Sequence, residues 1–528
     1  MAILTGNIYI DILAIAVSIF AVIVSLFKWW FGYWERQGVY TPKPTIPFGN
    51  AKDLLFQRVT TGVEYKNVYD DIKRKGNKFG GYYFFGIPIF IPVDLDLVKL
   101  MLTKDFRHFT NHLNTVNVET DPLSGHLFNL KNAEWKNLRA KLTPTFTSGK
   151  MKMMFQTLVN CSDSLTTVID RYSKEKQAID IKDIVARFTT DIIGSCAFGI
   201  ECNSLQNPNS EFRIYGKKVF EITWWESFVR LVAIGWPDVL THLKLRAFSK
   251  EICEFFMNVV RGTVDYREKN DIIRRDFMHL LIQLKNNVKI EENNLGKLKS
   301  NLQSNGNISS NSSNELSLTM NELTAQAFVF FIAGFETSST TTTFCLYELV
   351  QNPELQEKVR QEINTVLEKY DGKVTYDAVM EMPYLEKCIN EALRKYPPVP
   401  LHTRECTEDY TVPGTDIVLK KGTSVFIPVM GIQNDPEYFP NPDKFDPERF
   451  SEENKAKRHS AAWTPFGDGP RACIGLRFGL MQTKVGLITL LNRFRFTLHP
   501  NTKLPLCFDP KGFVLTADNG IWLNAERI

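Results

Sequence analysis

The chain has 528 residues, 44% hydrophobic and 23% charged, with a formal net charge of +4. This is ordinary globular composition with enough apolar residues for a large core, and so small a charge, with no basic stripe interleaved with aromatics, argues against nucleic acid as a partner. Nine cysteines are scattered without paired spacing, which fits a reducing compartment rather than a disulfide framework.

Residues 8–27 are almost wholly apolar, broken by Asp11, Ser18 and Ser25, and are followed by Lys28, Trp29, Trp30, Tyr33, Trp34 and Arg36. The run is long enough to span a bilayer, its aromatics sit where an interfacial belt would, and the positive charges on its carboxyl side direct the bulk of the chain to the cytosol. A cleaved signal peptide is disfavoured, because no basic region precedes the run and no small-x-small site follows it. Pro42, Pro44 and Pro47 with Gly49 make a stiff, helix-breaking stretch. The expected organisation is an anchor over 1–34, a hinge over 35–50 and one large domain over 51–528, since no long linker divides the rest.

Residues 82–85 and 89–93, separated by Gly86-Ile87-Pro88, read as a hairpin. A loop over 106–125 mixes Phe109, His112 and Leu113 with polar residues. Trp135 and Arg139 lie four apart, on one helix face, within a basic region containing Lys131, Lys136, Lys141, Lys150 and Lys152. Residues 188–200 and 214–236 read as helices covering a pocket, with Phe220, Trp224, Trp225 and Phe228 close together. Residues 286–317 are mostly Asn, Ser, Lys, Glu and Gly and read as a disordered surface loop. Its sequons at Asn307 and Asn311 matter only in a lumenal setting.

A capping box at Thr319 and Glu322 opens a helix that runs to about Gln351, roughly 48 Å. In its middle stand Ala333-Gly334-Phe335-Glu336-Thr337 and then a run of hydroxyl side chains, 338–343. Gly334 weakens the helix there, and the Thr337 hydroxyl can bond the Ala333 carbonyl, leaving a notch. Glu391 and Arg394 are three apart on one face of a later helix. Near the end comes a turn-rich loop, 466–475, which presents Cys473 beside the Phe466 ring and the Arg471 cation on a glycine-rich backbone. Together these suit a haem iron bound by a thiolate. The overlapping Gly467-x-Gly469-x-x-Ala472 fits a relaxed dinucleotide fingerprint but is rejected: no clean buried strand precedes it, and no acidic residue for a ribose follows about twenty residues on.

The spacing Phe466-x-x-Gly469-x-Arg471-x-Cys473-x-Gly475 resembles the cysteine-ligand loop of the cytochromes P450, the haem-thiolate monooxygenases. The resemblance extends in order over about the last four hundred residues. It implies a mainly α fold with a minor β-sheet region, one haem domain behind an N-terminal anchor, and a proline-rich hinge like that of microsomal members. It implies haem b with Cys473 as the axial ligand, and Phe466, Arg471, Gly475, Ala333 and Gly334 against the cofactor. Trp135, Arg139 and Arg404 correspond to the family's propionate donors, and Glu336 with Thr337 to its acid-alcohol pair for proton delivery. Glu391 and Arg394 correspond to a buried Glu-x-x-Arg pair completed by Arg449 of Pro447-Glu448-Arg449-Phe450, in a structural role. Phe109, Phe220, Phe335, Val399, Leu401 and Phe513 are the residues expected against the substrate.

The wording of 335–343 and 465–471 is most similar to insect microsomal members associated with detoxification. The activity implied is insertion of one oxygen atom from O2 into apolar small molecules such as plant toxins or insecticides. The electrons come from NADPH through a membrane-bound flavoprotein reductase, with cytochrome b5 as a possible second donor, at the endoplasmic reticulum membrane. No flavin or nicotinamide site is found in the chain itself. Hydroxylation of an endogenous lipid or hormone remains open. An O2-independent haem-thiolate isomerase or dehydratase is disfavoured by Glu336-Thr337, and a non-catalytic haem sensor or electron carrier by the notch and the aromatic pocket.

Overall fold

A computed structural model of the chain describes residues 7–113, 117–221, 229, 239, 242–286 and 317–528. It is mainly helical with small sheets. The helices described below are α1 (Ile8–Phe31), α2 (Asn132–Leu142), α3 (Ser148–Glu175), α4 (Ile181–Ile193), α5 (Met320–Gln351), α6 (Pro383–Lys395) and α7 (Leu476–Arg493). The strands are β1 (Phe79–Phe84), β2 (Ile87–Pro92), β3 (Ile179–Asp180), β4 (His402–Glu405), β5 (Tyr410–Thr411), β6 (Val418–Leu419), β7 (Ser424–Ile427), β8 (Phe494–Leu498) and β9 (Trp522–Arg527). They form sheets ordered β1-β2-β7-β4, β3-β9-β8 and β5-β6.

Helix α1 has 24 residues, about 36 Å of rise, and is long and apolar enough to cross a membrane, with little of it covered by the rest of the chain. The packing does not break at residue 34, where the anchor was expected to end. Trp34 is fully buried, its backbone N–H donates to the Tyr83 hydroxyl at 2.9 Å, and its ring lies where a Cβ on Gly81 would sit. The following stretch is tied to β1: Gly81 N–H donates to Tyr40 carbonyl at 2.7 Å and Asn50 N–H to Tyr83 carbonyl at 2.8 Å. The chain turns back at residues 46–48, where Thr45 and Gly49 exchange backbone hydrogen bonds at 2.7 and 2.8 Å, and its flanks satisfy part of their polar groups against β1.

The hairpin forms, but its turn is shorter and earlier than the proline suggested. Phe84 pairs with Ile87, leaving Phe85-Gly86 as the turn, with Phe85 at φ +51°. Pro88 lies within β2 opposite Tyr83. On its other side β2 pairs in parallel with β7, which pairs antiparallel with β4 and sets Arg404 opposite Val425.

Helix α5 is the spine. Its capping box is formed: Thr319 Oγ1 accepts from Glu322 N–H at 3.2 Å and the Glu322 carboxylate accepts from Thr319 N–H at 2.8 Å. The helix continues unbroken for 32 residues, flanked by α4, α6 and α7. Gly334 serves close packing, since a Cβ there would stand 2.6 Å from Ile193 Cδ1 of α4. Buried apolar side chains fall into a large helical core around α5 and a smaller one under the β1-β2-β7-β4 sheet.

Almost all of the segment read as a disordered loop, 287–316, lies outside the described residues, as do Trp224, Trp225 and Phe228. The flanks of 287–316 meet, because Ser317 Oγ donates to the Lys285 carbonyl at 2.8 Å. Replacing 287–316 by a short glycine linker should therefore leave the thermal midpoint of the protein unchanged or slightly raised, because a shorter loop costs less closure entropy, on the order of 1–2 kcal/mol. A large fall in midpoint on thermal unfolding would show that the segment packs on the domain.

Candidate functional site

The loop before α7 is built around two left-handed glycines, Gly467 at φ +74° and Gly469 at φ +69°. A Cβ on Gly469 would stand 2.0 Å from the Leu102 carbonyl oxygen, so only glycine fits. The loop closes through Cys473 N–H donating to Phe466 carbonyl at 2.8 Å. Cys473 has accessible surface, but that surface faces an internal cavity of about 310 Å³. Burial pushes its thiol up; the Gly475 backbone N–H and the Arg139 guanidinium act in the opposite direction. Both opposing groups stabilise a thiolate.

Across the cavity runs α5. Ala333, Gly334, Thr337, Ser338 and Thr341 line it. The Thr337 hydroxyl donates to the Ala333 carbonyl at 2.6 Å, as the spacing suggested. Gln482 of α7 donates from Nε2 to the Gly334 carbonyl at 2.5 Å, a tie that the sequence pattern did not reveal. Glu336 does not face the cavity. Its carboxylate lies 2.9 Å from Lys182 Nζ, and that amine also reaches Ser339 and Thr340 hydroxyls at 2.6 and 2.9 Å. Successive helix residues step by about 100°, so a neighbour of Thr337 must point to a different wall.

On the remaining side stand Trp135, Arg139, Arg404 and Arg471, with His112 and His402. Arg139 Nη2 donates to the Ala472 carbonyl at 2.9 Å. Arg404 is fully buried, and its Nε has no partner among the described residues. Arg471 lies 4.1 Å from the Trp135 ring centroid and donates from Nε to Thr110 carbonyl at 2.8 Å and from Nη2 to Leu130 carbonyl at 2.7 Å. Desolvation lowers Arg404 to about 10 and Arg471 to about 9, and His402 to about 4. Among the described residues no Asp or Glu lines this cavity. Three guanidiniums around an apolar slot with no internal anion call for a flat apolar ligand that brings its own carboxylates. Haem b, with two propionates, fits that demand, and the thiol on the proximal wall fits its iron.

Of the residues expected against the substrate, Val399 lines the cavity and the others do not. Phe109 is fully buried in the sheet-side core, 4.9 Å from the Tyr410 ring. Phe220 and Phe335 pack on each other at 5.5 Å, and Phe335 also on Phe331, away from the cavity. Leu401 packs against the sheet-side core, and Phe513 is 52% exposed at the surface. Phe128, Phe330 and Val329 supply apolar wall instead, with Gln326, whose buried amide accepts from Leu127 N–H at 2.9 Å.

Behind the cavity, Glu391 accepts from Arg394 Nε and Nη2 at 2.7 and 2.9 Å and from Arg449 Nε at 3.2 Å. Arg394 continues to the Gln433 and Pro442 carbonyls at 3.0 and 2.7 Å. The Glu391–Arg394 pair is fully buried and, with the partly exposed Arg449, ties α6 to the chain leading into the cysteine loop.

The cytochrome P450 family model matches residues 42–524. The chain belongs to the cytochrome P450 family. It is 41% identical to cytochrome P450 6a2 of Drosophila melanogaster over 516 residues, 97% of this chain and 98% of that protein. It is likewise 41% identical to cytochrome P450 6A1 of Musca domestica, over 95% of each chain, and to cytochrome P450 6k1 of Blattella germanica, over 99% of this chain and 98% of the other. As a P450 it is a haem-thiolate monooxygenase that uses haem b, a redox partner and a small-molecule substrate.

The buried cluster gives a stability test. Arg394→Met strands the Glu391 carboxylate where it has no exposed surface, and should cost about 3–5 kcal/mol in urea unfolding. Arg449→Met removes one contact to Glu391 and one to the Asn441 carbonyl from a more accessible side chain and should cost clearly less.

Proposed function

We propose that Cys473 is the axial ligand, that Trp135, Arg139 and Arg404 hold the haem carboxylates, and that Thr337 manages a proton beside the substrate. The carrying observation is one cavity that joins Cys473, the Thr337 hydroxyl and three guanidiniums, with no acidic residue among the described residues of its wall. Bound through a thiolate, the haem supplies activation of dioxygen, so that one oxygen atom enters the substrate and the other leaves as water. Ala333 and Thr337 hold a hydroxyl at the cavity surface where it can orient a water. Ala333, Gly334 and Gly475 leave room for a flat ligand, Phe466 gives it an aromatic wall, and Arg471 fixes the loop that carries the thiol.

Glu336 stands on the supply side of that proton. Its partner Lys182 lines a second, solvent-open cleft of about 460 Å³ together with Asp180, Asp183, Arg187, Arg213 and Lys217. Protons enter from that cleft and reach Thr337 around the helix, rather than from the substrate side.

The substrate is an apolar xenobiotic of the plant-toxin or insecticide type, held by Val399, Val329, Phe128 and Phe330. The electrons come from a membrane-bound NADPH-dependent flavoprotein reductase, with cytochrome b5 as an auxiliary donor, at the endoplasmic reticulum membrane into which α1 inserts. The basic region offers Lys136 as an exposed cation for such a partner, while Lys131 and Lys152 are paired with Glu405 and Asp377 at 2.6 and 3.0 Å.

In Cys473→His, haem is retained in part, but the far-red-shifted Soret band of the ferrous carbon monoxide adduct and the monooxygenation are lost; survival of that band would overturn the ligand assignment. Thr337→Ala should leave substrate difference spectra nearly unchanged and lower product formed per NADPH oxidised at least about tenfold, since a positioned proton donor contributes roughly 10²–10⁴-fold. An unchanged ratio with reductase in excess would reduce Thr337 to a packing residue.

A further inference from the structure

The solvent-open cleft of about 460 Å³ at the start of α4 shares no residue with the haem cavity. Its walls come chiefly from α4, the helix Glu211–Phe220 and β9, and three of its cations gather on a single carboxylate. Arg187 and Arg213 each reach Asp183 through Nη2, the latter at 3.1 Å, and Lys217 Nζ stands 3.6 Å from the same group. The fourth cation, Lys182, is already satisfied by Glu336 and by the Ser339 and Thr340 hydroxyls. Asp180 caps α4, accepting from Lys182 N–H at 3.2 Å. With Lys182 set against Glu336, three cations therefore face two carboxylates, and the cleft keeps a positive excess.

The excess of charge is matched by an excess of donors. Arg213 is only 5% exposed, yet apart from the bond to Asp183 neither its Nε nor its Nη1 has an acceptor among the described residues. Arg187 repeats the pattern, with Nη2 on Asp183 and a buried Nε left over. A buried guanidinium ordinarily finds acceptors for most of its N–H groups, as Arg471 does on four main-chain carbonyls. Here the described residues supply none beyond Asp183, while the cleft stays open to water. The missing acceptor is one that enters from outside, compact, multiply charged and rich in oxygen. A phosphate group offers several oxygens to two planar forks and an ammonium at once, which a single carboxylate cannot. Tyr172 and Trp522 stand half-buried in the same walls. The indole N–H of Trp522 is spent on the Asn519 carbonyl at 3.0 Å, so its ring is left as an apolar surface for the organic part of a ligand.

We infer that this cleft is a binding site for a phosphate group, free or carried by a small organic molecule, held by Arg187, Arg213 and Lys217. The bound group shares the two forks with Asp183 and draws in the Lys217 ammonium, whose side chain is half-exposed at the mouth. Asp183 is then the competitor of the ligand, an internal anion that holds the three cations together until the stronger one arrives. The site is independent of the haem assignment and stands or falls without it.

The test is calorimetric titration of the full-length, haem-loaded protein in detergent, in a phosphate-free buffer of low ionic strength. The probes are inorganic phosphate, glycerol 3-phosphate as the soluble form of a lipid headgroup, and adenosine 5′-monophosphate. Wild type should bind one equivalent with a dissociation constant below about 1 mM. Lys217→Glu, a change at a half-exposed side chain, should weaken binding about tenfold or more, the loss expected for a charge-assisted hydrogen bond. Asp183→Asn should tighten it, because the three cations lose their internal competitor, and a carboxylate with a merely structural role would give no such gain. Equal affinities for the three probes would place recognition in the phosphate alone, and tighter binding of the nucleotide would add the Tyr172 and Trp522 walls; both support the site. Absence of binding by wild type up to about 10 mM, or binding that Lys217→Glu leaves unchanged, would overturn it, the latter being an adventitious ion only. Should Asp183→Asn not fold, Lys217→Arg takes its place. Affinity kept in Lys217→Arg and lost in Lys217→Glu supports the site, and equal affinity in the two overturns it.

Discussion

Three guanidiniums converge on one cavity that has no acidic residue among the described residues of its wall. Burial lowers Arg404 and Arg471 appreciably, which is the mark of cations held away from water without a counter-charge. Such an arrangement is costly by itself and becomes favourable when a dianion enters. The folded domain and its haem are thus linked: a ligand that binds only the assembled cavity stabilises the elements that assemble it. Those elements come from distant parts of the chain, since α2 supplies Arg139, β4 supplies Arg404 and the loop before α7 supplies Arg471.

Helix α5 distributes the remaining tasks by rotation alone. One face carries Ala333, Thr337 and Thr341 into the cavity. A second carries Glu336, Ser339 and Thr340 to Lys182 of α4. A third carries Phe331 and Phe335 into a packed aromatic group with Phe198, Phe212 and Phe220. The hydroxyl run needs no water to be satisfied where Thr341 and Thr342 bond back to the carbonyls of Thr337 and Ser338 at 2.9 Å each, a local solution available to Ser and Thr in a helix.

Features fixed by local spacing were legible in the sequence: the capping box, the Thr337 to Ala333 bond, the Glu391-Arg394 contact and the cysteine loop. Features that depend on which way an element faces its neighbours were not. The substrate residues were chosen by aromatic character and position, but Phe335 shares a helix with Thr337 and lies on another face, and Leu401 is two residues from Val399 on a chain that turns toward the sheet. Trp34 looked like an interfacial aromatic because the residues before it are apolar. Only the glycine at 81, which leaves room for its ring, marks it as core, and that pairing spans forty-seven positions along the chain. Lys182 and Gln482 carried no signal at all, as single polar residues whose partners sit on a different helix.

Arg404 and Arg471 are the same residue type in the same cavity, and what separates them is the main chain nearby. Arg471 sits within reach of the carbonyls of Thr110, Leu127, Phe128 and Leu130, oxygens that the irregular path of this segment leaves without helix or strand partners. Its planar fork answers several of them at once, which a lysine could not do. Its charge is offset by carbonyl dipoles and by the Trp135 ring beneath it. It therefore ties the carbonyls of Thr110 and of residues 127–130 to the loop that carries Cys473. Arg404 lies on the edge strand β4 and gives one donor to the Thr403 carbonyl at 2.8 Å, while among the described residues its Nε has no partner and is open to an anion from outside the chain.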